Sequence, residues 1–132
     1  MSQQQPWWNG AVIYQLIVRS YRDGNGDGIG DLQGLSSRLP YLRWLGVEAI
    51  WLTPIYPSPL DDGGYDITDF KAIHPDLGDL AAFHRFLTAA HAQGLKVVMD
   101  LVMNHTSTLH PWFQRARWAA KGSPEREIYV WS

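Results

Sequence analysis

The chain has 132 residues, of which 45% are hydrophobic, and this is enough for one domain with a real core. Its net charge of −2 and pI near 6.2, without any cluster of Lys or Arg, argue against nucleic acid as a partner. Cysteine is absent, which excludes a disulfide framework and thiol catalysis. No apolar run approaches transmembrane length and residues 1–10 lack signal-peptide features, so we predict a soluble, cytoplasmic protein without a membrane partner.

The first pattern along the chain is a strand followed by an acidic, glycine-rich loop. Residues 11–21 are β-branched and aromatic, which predicts strand one. Oxygen-bearing side chains then stand at alternate positions separated by glycines, at Asp23, Asn25, Asp27 and Asp31. Such a loop offers the hard oxygen ligands that calcium needs, with the Ile29 carbonyl as a further ligand. It starts like an EF-hand loop but has Gly34 where that loop needs a bidentate Glu, and a Gly/Asp turn without metal is the alternative.

Helical spacing of apolar residues follows the acidic loop. Ser36 or Ser37 can cap a helix that holds Pro40 in its first turn and ends at Gly46. The apolar face of this predicted helix consists of Leu35, Leu39, Leu42 and Leu45. Residues 47–53 then predict strand two.

A long Pro-rich loop over residues 54–75 comes after strand two, and loops of this length in compact domains are usually functional. Its centre, residues 62–69, combines an exposed ring with carboxylates. Asp79 is predicted to cap a second helix, which Gly94 ends. The apolar face of that helix consists of Leu80, Phe83, Leu87 and Ala90.

Residues 95–105 form a short apolar run that stops abruptly in polar residues, which predicts strand three, covered on both faces. Asp100 lies inside this run. A carboxylate there is costly unless it is paired, so either a partner cation exists or the strand end opens into a polar site. A satisfied core aspartate is the alternative. Residues 106–132 predict loop and short helix.

The order strand, helix, strand, helix, strand predicts one parallel α/β sheet. Right-handed crossovers would put residues 23–31, 65–66 and 104–105 at the same edge of that sheet. Three parallel strands cannot close a barrel, because closure in this class takes eight. We therefore expect the chain to be the first part of a larger fold.

Three motifs, DGNGDGIGDLQGL, GGYDITDF and DLVMNHTS, resemble in this order the N-terminal part of the α-amylase superfamily, glycoside hydrolase family 13. The resemblance covers essentially the whole chain. It implies the first three β/α units of an incomplete TIM (β/α)8 barrel over residues 1–132, with the start of the domain-B insertion at residues 104–132. Within the family, the runs YPSPLDDGGYDITDF, HPDLGDL and HPWFQRARWAAKGSPEREIYVWS are most similar to the trehalose synthase group, while α-glucosidases share much of the first run.

The resemblance also implies roles for individual residues. It implies that Tyr65 stacks under a bound glucose, that Asp66 and His105 hydrogen-bond its hydroxyls, and that Asp100 supports the site. Asn104 would bind a second calcium ion at the root of the loop after strand three. The first Ca2+ ion would be held by the Ile29 carbonyl and by Asp23, Asn25, Asp27 and Asp31. The chain departs from the family at Thr108 and Leu109, where relatives usually carry an acid.

The implied activity is that of a retaining α-glucan-active enzyme, which needs a nucleophile and an acid/base roughly 5 Å apart. In the family these are an Asp and a Glu after strands four and five, so the resemblance implies no catalytic residue within the chain and no activity of the chain alone. The implied reaction is maltose isomerisation to trehalose by intramolecular transglucosylation, or hydrolysis if the enzyme is an oligo-1,6-glucosidase or another α-glucosidase. Its partners would be maltose, trehalose or short α-glucosides. A truncated calcium-binding fragment without catalytic function is the remaining alternative.

Overall fold

The structure is a computed structural model that describes residues 5–132. Its elements are β1 Ile13–Leu16, α1 Val18–Tyr21, α2 Leu32–Ser37, α3 Leu39–Trp44, β2 Ala49–Leu52, α4 Leu80–Ala92, β3 Lys96–Met99 and α5 Pro111–Trp118, with 3₁₀ turns at Pro75–Leu77 and Arg126–Ile128. The chain divides into two compact units. The first unit takes the described residues up to Thr53 together with Pro75–Asp100, and the second takes Pro54–His74 and Leu101–Ser132.

The first unit contains a three-stranded parallel sheet in the order β1-β2-β3, which confirms the predicted strand order. Ile13 pairs with Ala49, and Ala49 pairs with Lys96. The central strand is the most buried, with Ala49, Ile50 and Leu52 fully inaccessible. Helices α2 and α4 pack against each other and bury large side chains, each worth about 1.5–3 kcal/mol. In these two helices the fully buried ones include Leu32, Leu35 and Phe86, and α3 adds Leu39 and Leu42.

The predicted strand over residues 11–21 is wrong in its second half, where Val18–Tyr21 is a helical turn. The acidic loop explains this difference, because the Gly30 backbone N–H donates to the Arg19 carbonyl at 2.7 Å. A Cβ atom at position 30 would meet the Val18 carbonyl oxygen at 2.2 Å, so only glycine permits this approach. A contact with a later segment therefore overrides the local β propensity.

The single helix predicted from the leucine spacing is two helices, α2 and α3, with Pro40 in the first turn of the second. The predicted cap at Ser36 or Ser37 is wrong, because both hydroxyls donate to carbonyls of α2 itself. Asp31 caps α2 instead, and its Oδ1 accepts from the Gly34 N–H at 2.6 Å. The end at Gly46 is confirmed by its φ of 87°, in the left-handed region that glycine tolerates.

Helix α4 begins after Asp79, whose Oδ1 accepts from the Ala82 N–H at 2.6 Å, and it ends before Gly94, as predicted. Its buried residues are Phe86 and Ala90, whereas Leu80 is about half exposed, so the predicted apolar face is partly wrong. Among the described residues, no helix has the length and apolar character needed to cross a bilayer.

Strand three is shorter than predicted, and the claim that it is covered on both faces is wrong. It ends at Met99, and Leu101 and Met103 are 65% and 84% exposed. The Asp100 N–H still donates to the Leu52 carbonyl at 3.2 Å, but the partner strand stops there because the chain turns into Pro54. A proline has no N–H with which to continue a ladder.

Candidate functional site

The acidic loop of the first unit lies between α1 and α2 and is organised around Asp23. The two carboxylate oxygens of Asp23 accept backbone N–H groups from Asn25, Gly26 and Gly28 at 2.6–3.0 Å. The N–H groups of Gly28 and Gly26 hold the pKa of Asp23 below its ordinary value. Asp27 joins the cluster, since its Oδ2 accepts from the Asn25 amide at 3.0 Å. The structure therefore brings three of the predicted calcium ligands together.

The remaining two predicted calcium ligands, Asp31 and Ile29, also make hydrogen bonds that involve backbone N–H groups. Asp31 is buried, and besides capping α2 it accepts the Gly24 N–H at 3.2 Å. The Ile29 N–H donates to Asp27 at 2.8 Å. Within residues 5–132, no three His, Cys, Asp or Glu side chains are gathered as a metal site. An ionised carboxylate has about four lone-pair sites, so these groups keep capacity for a hard cation, and the donor set fits calcium once Asn25 and a carbonyl are included.

Asp100 follows β3 in the first unit, and the predicted need for a partner is met by an indole. The Trp51 Nε1–H donates to Asp100 Oδ1 at 2.6 Å. Trp51 lies on β2 and Asp100 directly follows the last residue of β3, so this hydrogen bond connects β2 to the end of β3. Asp100 is half-buried there, and the supporting role of its carboxylate stays a prediction.

The second unit holds Asp66 in a tightly bonded loop over residues 58–66. One oxygen of Asp66 accepts the Ser58 hydroxyl, and the other accepts the Asp61 N–H at 3.1 Å. The Asp66 N–H in turn donates to Asp62 Oδ1 at 2.6 Å. Burial alone would raise the pKa of Asp66, but hydrogen bonding with Ser58, Asp62 and the Asp61 backbone outweighs burial and lowers that pKa.

His105 faces the same loop. Its Nε2 lies 3.8 Å from Asp62 Oδ2, and its Nδ1 lies 3.4 Å from the Asn104 amide nitrogen. The side chains of Asp62 and His105 are each 46% exposed, and Tyr65 is 36% exposed. The structure thus connects Asp66 to His105 through Asp62.

Sequence reasoning missed Asp62 as a member of this site. The signal in the sequence was an aspartate directly before two glycines, a pattern typical of a turn in which the side chain accepts a nearby N–H. Gly63 and Gly64 have φ values of 76° and 105°, and this reversal lets Asp62 meet the Asp66 N–H. The contact with His105 joins residues 43 positions apart and had no local signal.

A cavity of about 370 Å³ lies next to these residues in the second unit. Asn104, His105 and Thr106 give it polar edges, and Phe70 and Trp112 give it aromatic walls. The Thr106 hydroxyl is 2.7 Å from the Tyr129 hydroxyl, which fixes one side of the opening. Flat apolar faces beside hydrogen-bonding groups can hold a sugar ring, whose C–H faces are apolar and whose edge is polar.

The predicted site residues fall into both compact units. Asp23, Asn25, Asp27, Ile29, Asp31 and Asp100 belong to the first unit, and Tyr65, Asp66, Asn104 and His105 belong to the second. The role of Asn104 as a second calcium ligand and the start of a domain-B insertion at residues 104–132 stay predictions.

The sequential parallel order β1-β2-β3, with polar loops after the strands, is the order that the strands of (β/α)8 enzymes have. Residues 15–132 match the family model described as the catalytic domain of alpha amylase, so the chain belongs to the α-amylase family, glycoside hydrolase family 13. The predicted fold, the first three β/α units of a TIM barrel, is confirmed.

Particular relatives are similar over nearly all of this chain. Trehalose synthase from Pimelobacter sp. is 48% identical over 132 residues, which are 100% of this chain and 23% of that protein. Oligo-1,6-glucosidase from Halalkalibacterium halodurans is 50% identical over 125 residues, 95% of this chain and 22% of that protein. A crystal structure of trehalose-6-phosphate hydrolase from Bacillus licheniformis has a TM-score of 0.91 at 47% identity, covering 97% of this chain and 23% of that one. The chain thus spans about a quarter of the length of the proteins it matches.

Proposed function

We propose that this chain is part of a retaining enzyme that isomerises maltose to trehalose. The observation that carries the proposal is the match to a trehalose synthase along all 132 residues. An oligo-1,6-glucosidase is the second candidate, because its identity of 50% over 125 residues is equally high. Both activities act on short α-glucosides, so the same substrate-facing groups serve either reaction.

In this proposal, Tyr65, Asp62 and His105 hold the glucose whose bond is broken. The ring of Tyr65 stacks on the apolar face of the sugar. The 3.8 Å between Asp62 and His105 is too long for a direct hydrogen bond, and both side chains are half exposed, so each can turn to a sugar hydroxyl. The Asn104 amide nitrogen is a donor, so its 3.4 Å contact with Nδ1 favours the tautomer with the proton on Nε2, which makes Nε2 a donor.

A direct sugar contact, as the resemblance predicts, and a positioning role through Asp62 are alternatives for Asp66, and the supporting role of Asp100 stays a prediction. The nucleophile and acid/base are predicted outside residues 1–132. The nucleophile displaces the glucose at the reducing end from C1 of the other glucose, and that C1 becomes bonded to the enzyme. The released glucose then re-attacks through its own anomeric hydroxyl, so one glycosidic bond breaks and one forms without net uptake of water.

Calcium enters the proposal as a structural ion. Asp23, Asn25, Asp27, Asp31 and the Ile29 carbonyl would hold it, and when bound it would fix the backbone of the acidic loop. These residues belong to the first compact unit, and no step of the sugar chemistry is assigned to them.

The test is to incubate the full-length enzyme with maltose and separately with isomaltose, and to identify the products by anion-exchange chromatography. We expect trehalose as the main product from maltose, with little free glucose, and slow cleavage of isomaltose. Rapid release of glucose from isomaltose without any trehalose would identify the enzyme as an oligo-1,6-glucosidase. Failure to convert either sugar would contradict both candidates.

A further inference from the structure

The loop over residues 58–66 is closed by side-chain hydrogen bonds at its two ends. The Ser58 hydroxyl donates to Asp66 Oδ1, and the Asp61 N–H donates to Asp66 Oδ2 at 3.1 Å. The oxygen of Ser58 also accepts the Leu60 N–H at 2.9 Å. The Ser58 hydroxyl and the Asp66 carboxylate therefore connect the two ends of this nine-residue segment to each other and to the backbone at its middle.

The backbone inside this loop has a conformation that needs support. Leu60 has a φ of 67°, the left-handed region that is costly for a residue with a branched side chain, and no other described non-glycine residue has a positive φ. Ser58 stands between Pro57 and Pro59, whose rings restrict the chain on either side of it. A strained residue persists only where surrounding contacts hold it, and here those contacts converge on Ser58 and Asp66.

We propose that Ser58 and Asp66 form a positioning clamp, which holds Asp62 and Tyr65 in the geometry that receives the sugar, and that neither clamp residue contacts the substrate. The proposal rests on the proposed function, since it concerns the site of the same reaction. The clamp contacts Asp62 directly, because the Asp66 N–H donates to Asp62 Oδ1 at 2.6 Å. Its other oxygen then faces His105. Ser58 and Asp66 thus act through Asp62 rather than on the sugar.

Substitution of Ser58 distinguishes the clamp from a direct contact between Asp66 and the sugar. If Asp66 binds the sugar, Asp66→Asn removes that contact whereas Ser58→Ala leaves it in place, so Asp66→Asn should lower kcat/KM far more than Ser58→Ala does. If the two residues form one clamp, removing either opens the loop, and removing both adds little more. A hydrogen bond to an ionised group supports an effect of about tenfold to a hundredfold on kcat/KM.

The experiment measures kcat and KM of the full-length enzyme with maltose for Ser58→Ala, Ser58→Thr, Asp66→Asn and the Ser58→Ala/Asp66→Asn pair. Ser37→Ala is the control, since the Ser37 hydroxyl donates only within its own helix, to the Gly34 carbonyl. We expect Ser58→Ala and Asp66→Asn each to lower kcat/KM about tenfold to a hundredfold, and the pair to be no worse than about threefold below the poorer single variant. Ser58→Thr keeps the hydroxyl and should stay near wild type.

The pH profile, measured only where circular dichroism shows each variant to be folded, adds a readout that loss of folded protein does not produce. Removing the Ser58 hydroxyl removes a bond that lowers the pKa of Asp66, so the acid limb of kcat/KM should move to higher pH in Ser58→Ala and not in Ser58→Thr. A near-normal kcat/KM in Ser58→Ala together with a strongly lowered kcat/KM in Asp66→Asn would overturn the clamp. Independent effects of the two substitutions in the double variant would also overturn it.

Amide hydrogen exchange of residues 58–66, followed by mass spectrometry, tests the clamp apart from the substrate. Exchange should rise in Ser58→Ala and Asp66→Asn and stay unchanged in Ser58→Thr and Ser37→Ala. Unchanged exchange in the first two would overturn the clamp even if the enzyme makes trehalose. Faster exchange in an enzyme that makes glucose instead would support the clamp and reject the proposed product.

Discussion

At the scale of single residues, Asp27 shows how the acidic loop can serve two purposes. Its Oδ1 accepts the Ile29 N–H at 2.8 Å, and its Oδ2 accepts the Asn25 amide at 3.0 Å. The first bond shapes the backbone without any metal. The negative charge is a separate property, and it is what a divalent ion needs.

Replacing Asp27 separates these purposes. Asp27→Asn can keep an acceptor for the Ile29 N–H but loses the charge, whereas Asp27→Ala loses both. We expect calcium to raise the melting temperature of the full-length wild-type enzyme by about 2–5 °C and to have little effect on either variant. Differential scanning calorimetry with calcium and with a chelator measures this. A melting temperature indifferent to chelator and to Asp27→Ala would make the loop an ordinary turn.

The residues whose roles could be predicted from the sequence make contacts a few positions away along the chain. The residue that was missed makes a contact with a distant segment. Asp79 and Gly94 marked the ends of α4 because capping is decided within a few positions. The acidic loop was visible for the same reason. Asp62 was missed because its contact with His105 depends on how two distant segments meet, which no local pattern encodes.

At the scale of elements, α5 is preceded by a histidine that is buried and serves as the N-cap of the helix. The Nδ1 atom of His110 accepts the Trp112 N–H at 3.0 Å, and His110 is 5% exposed. The Phe70 and Trp112 rings lie 5.7 and 4.9 Å from its ring, centroid to centroid. Burial lowers the pKa of His110, against the opposing charge of Asp69 and with the help of Arg115.

The cap needs a neutral imidazole, because protonated Nδ1 has no lone pair to accept the N–H. With the folded pKa of His110 below its ordinary value of 6.5, its contribution to stability is complete above pH 6.5. That contribution declines as pH falls from 6.5 towards the lowered pKa, since the unfolded chain takes up the proton first.

Substituting His110 by Asn should flatten this decline. His110→Asn keeps a good N-cap group without a titrating ring, while His110→Ala should lose about 1 kcal/mol of helix stability above pH 6.5 and less below it. Thermal unfolding of the full-length enzyme between pH 5 and 7.5 measures the slope, and exposed His84 replaced by Asn is the control. An unchanged slope in His110→Asn would show that the cap does not titrate in this range.

The elements themselves were predictable in order but less so in extent. The three strands and the helix between β2 and β3 follow from apolar periodicity and capping. Strand lengths were overestimated because an apolar run continues past the last paired residue, as at Leu101 and Met103. The first helix starts at Leu32 because Asp31 caps it, a role for which two serines nearby in sequence competed, and it splits before Pro40, which has no N–H for a continuous helix.

At the scale of the whole molecule, the proposed sugar-binding residues and the reacting carboxyl groups are predicted to lie in different parts of the full-length enzyme's chain. Residues 1–132 contain Tyr65, Asp62 and His105, which we propose to hold the sugar, while the nucleophile and acid/base are predicted elsewhere. A retaining reaction needs both carboxyl groups roughly 5 Å apart. We expect the purified 132-residue chain to convert no maltose, measured by chromatography after long incubation. Turnover that is lost on Asp66→Ala or Asp100→Ala would contradict this division.

The parallel order β1-β2-β3 also bears on how the protein is made. Each strand pairs with the strand that the ribosome produced just before it, so no described strand must wait for a partner made out of turn. Neighbouring strands are separated by roughly 36 to 47 positions, which take about 2–9 seconds to synthesise at 5–20 residues per second. A β-hairpin forms in about microseconds, and non-local strand pairing takes roughly milliseconds to a second, which is still shorter than this interval. The sheet can therefore grow strand by strand during translation, at a pace set by the ribosome rather than by the chain.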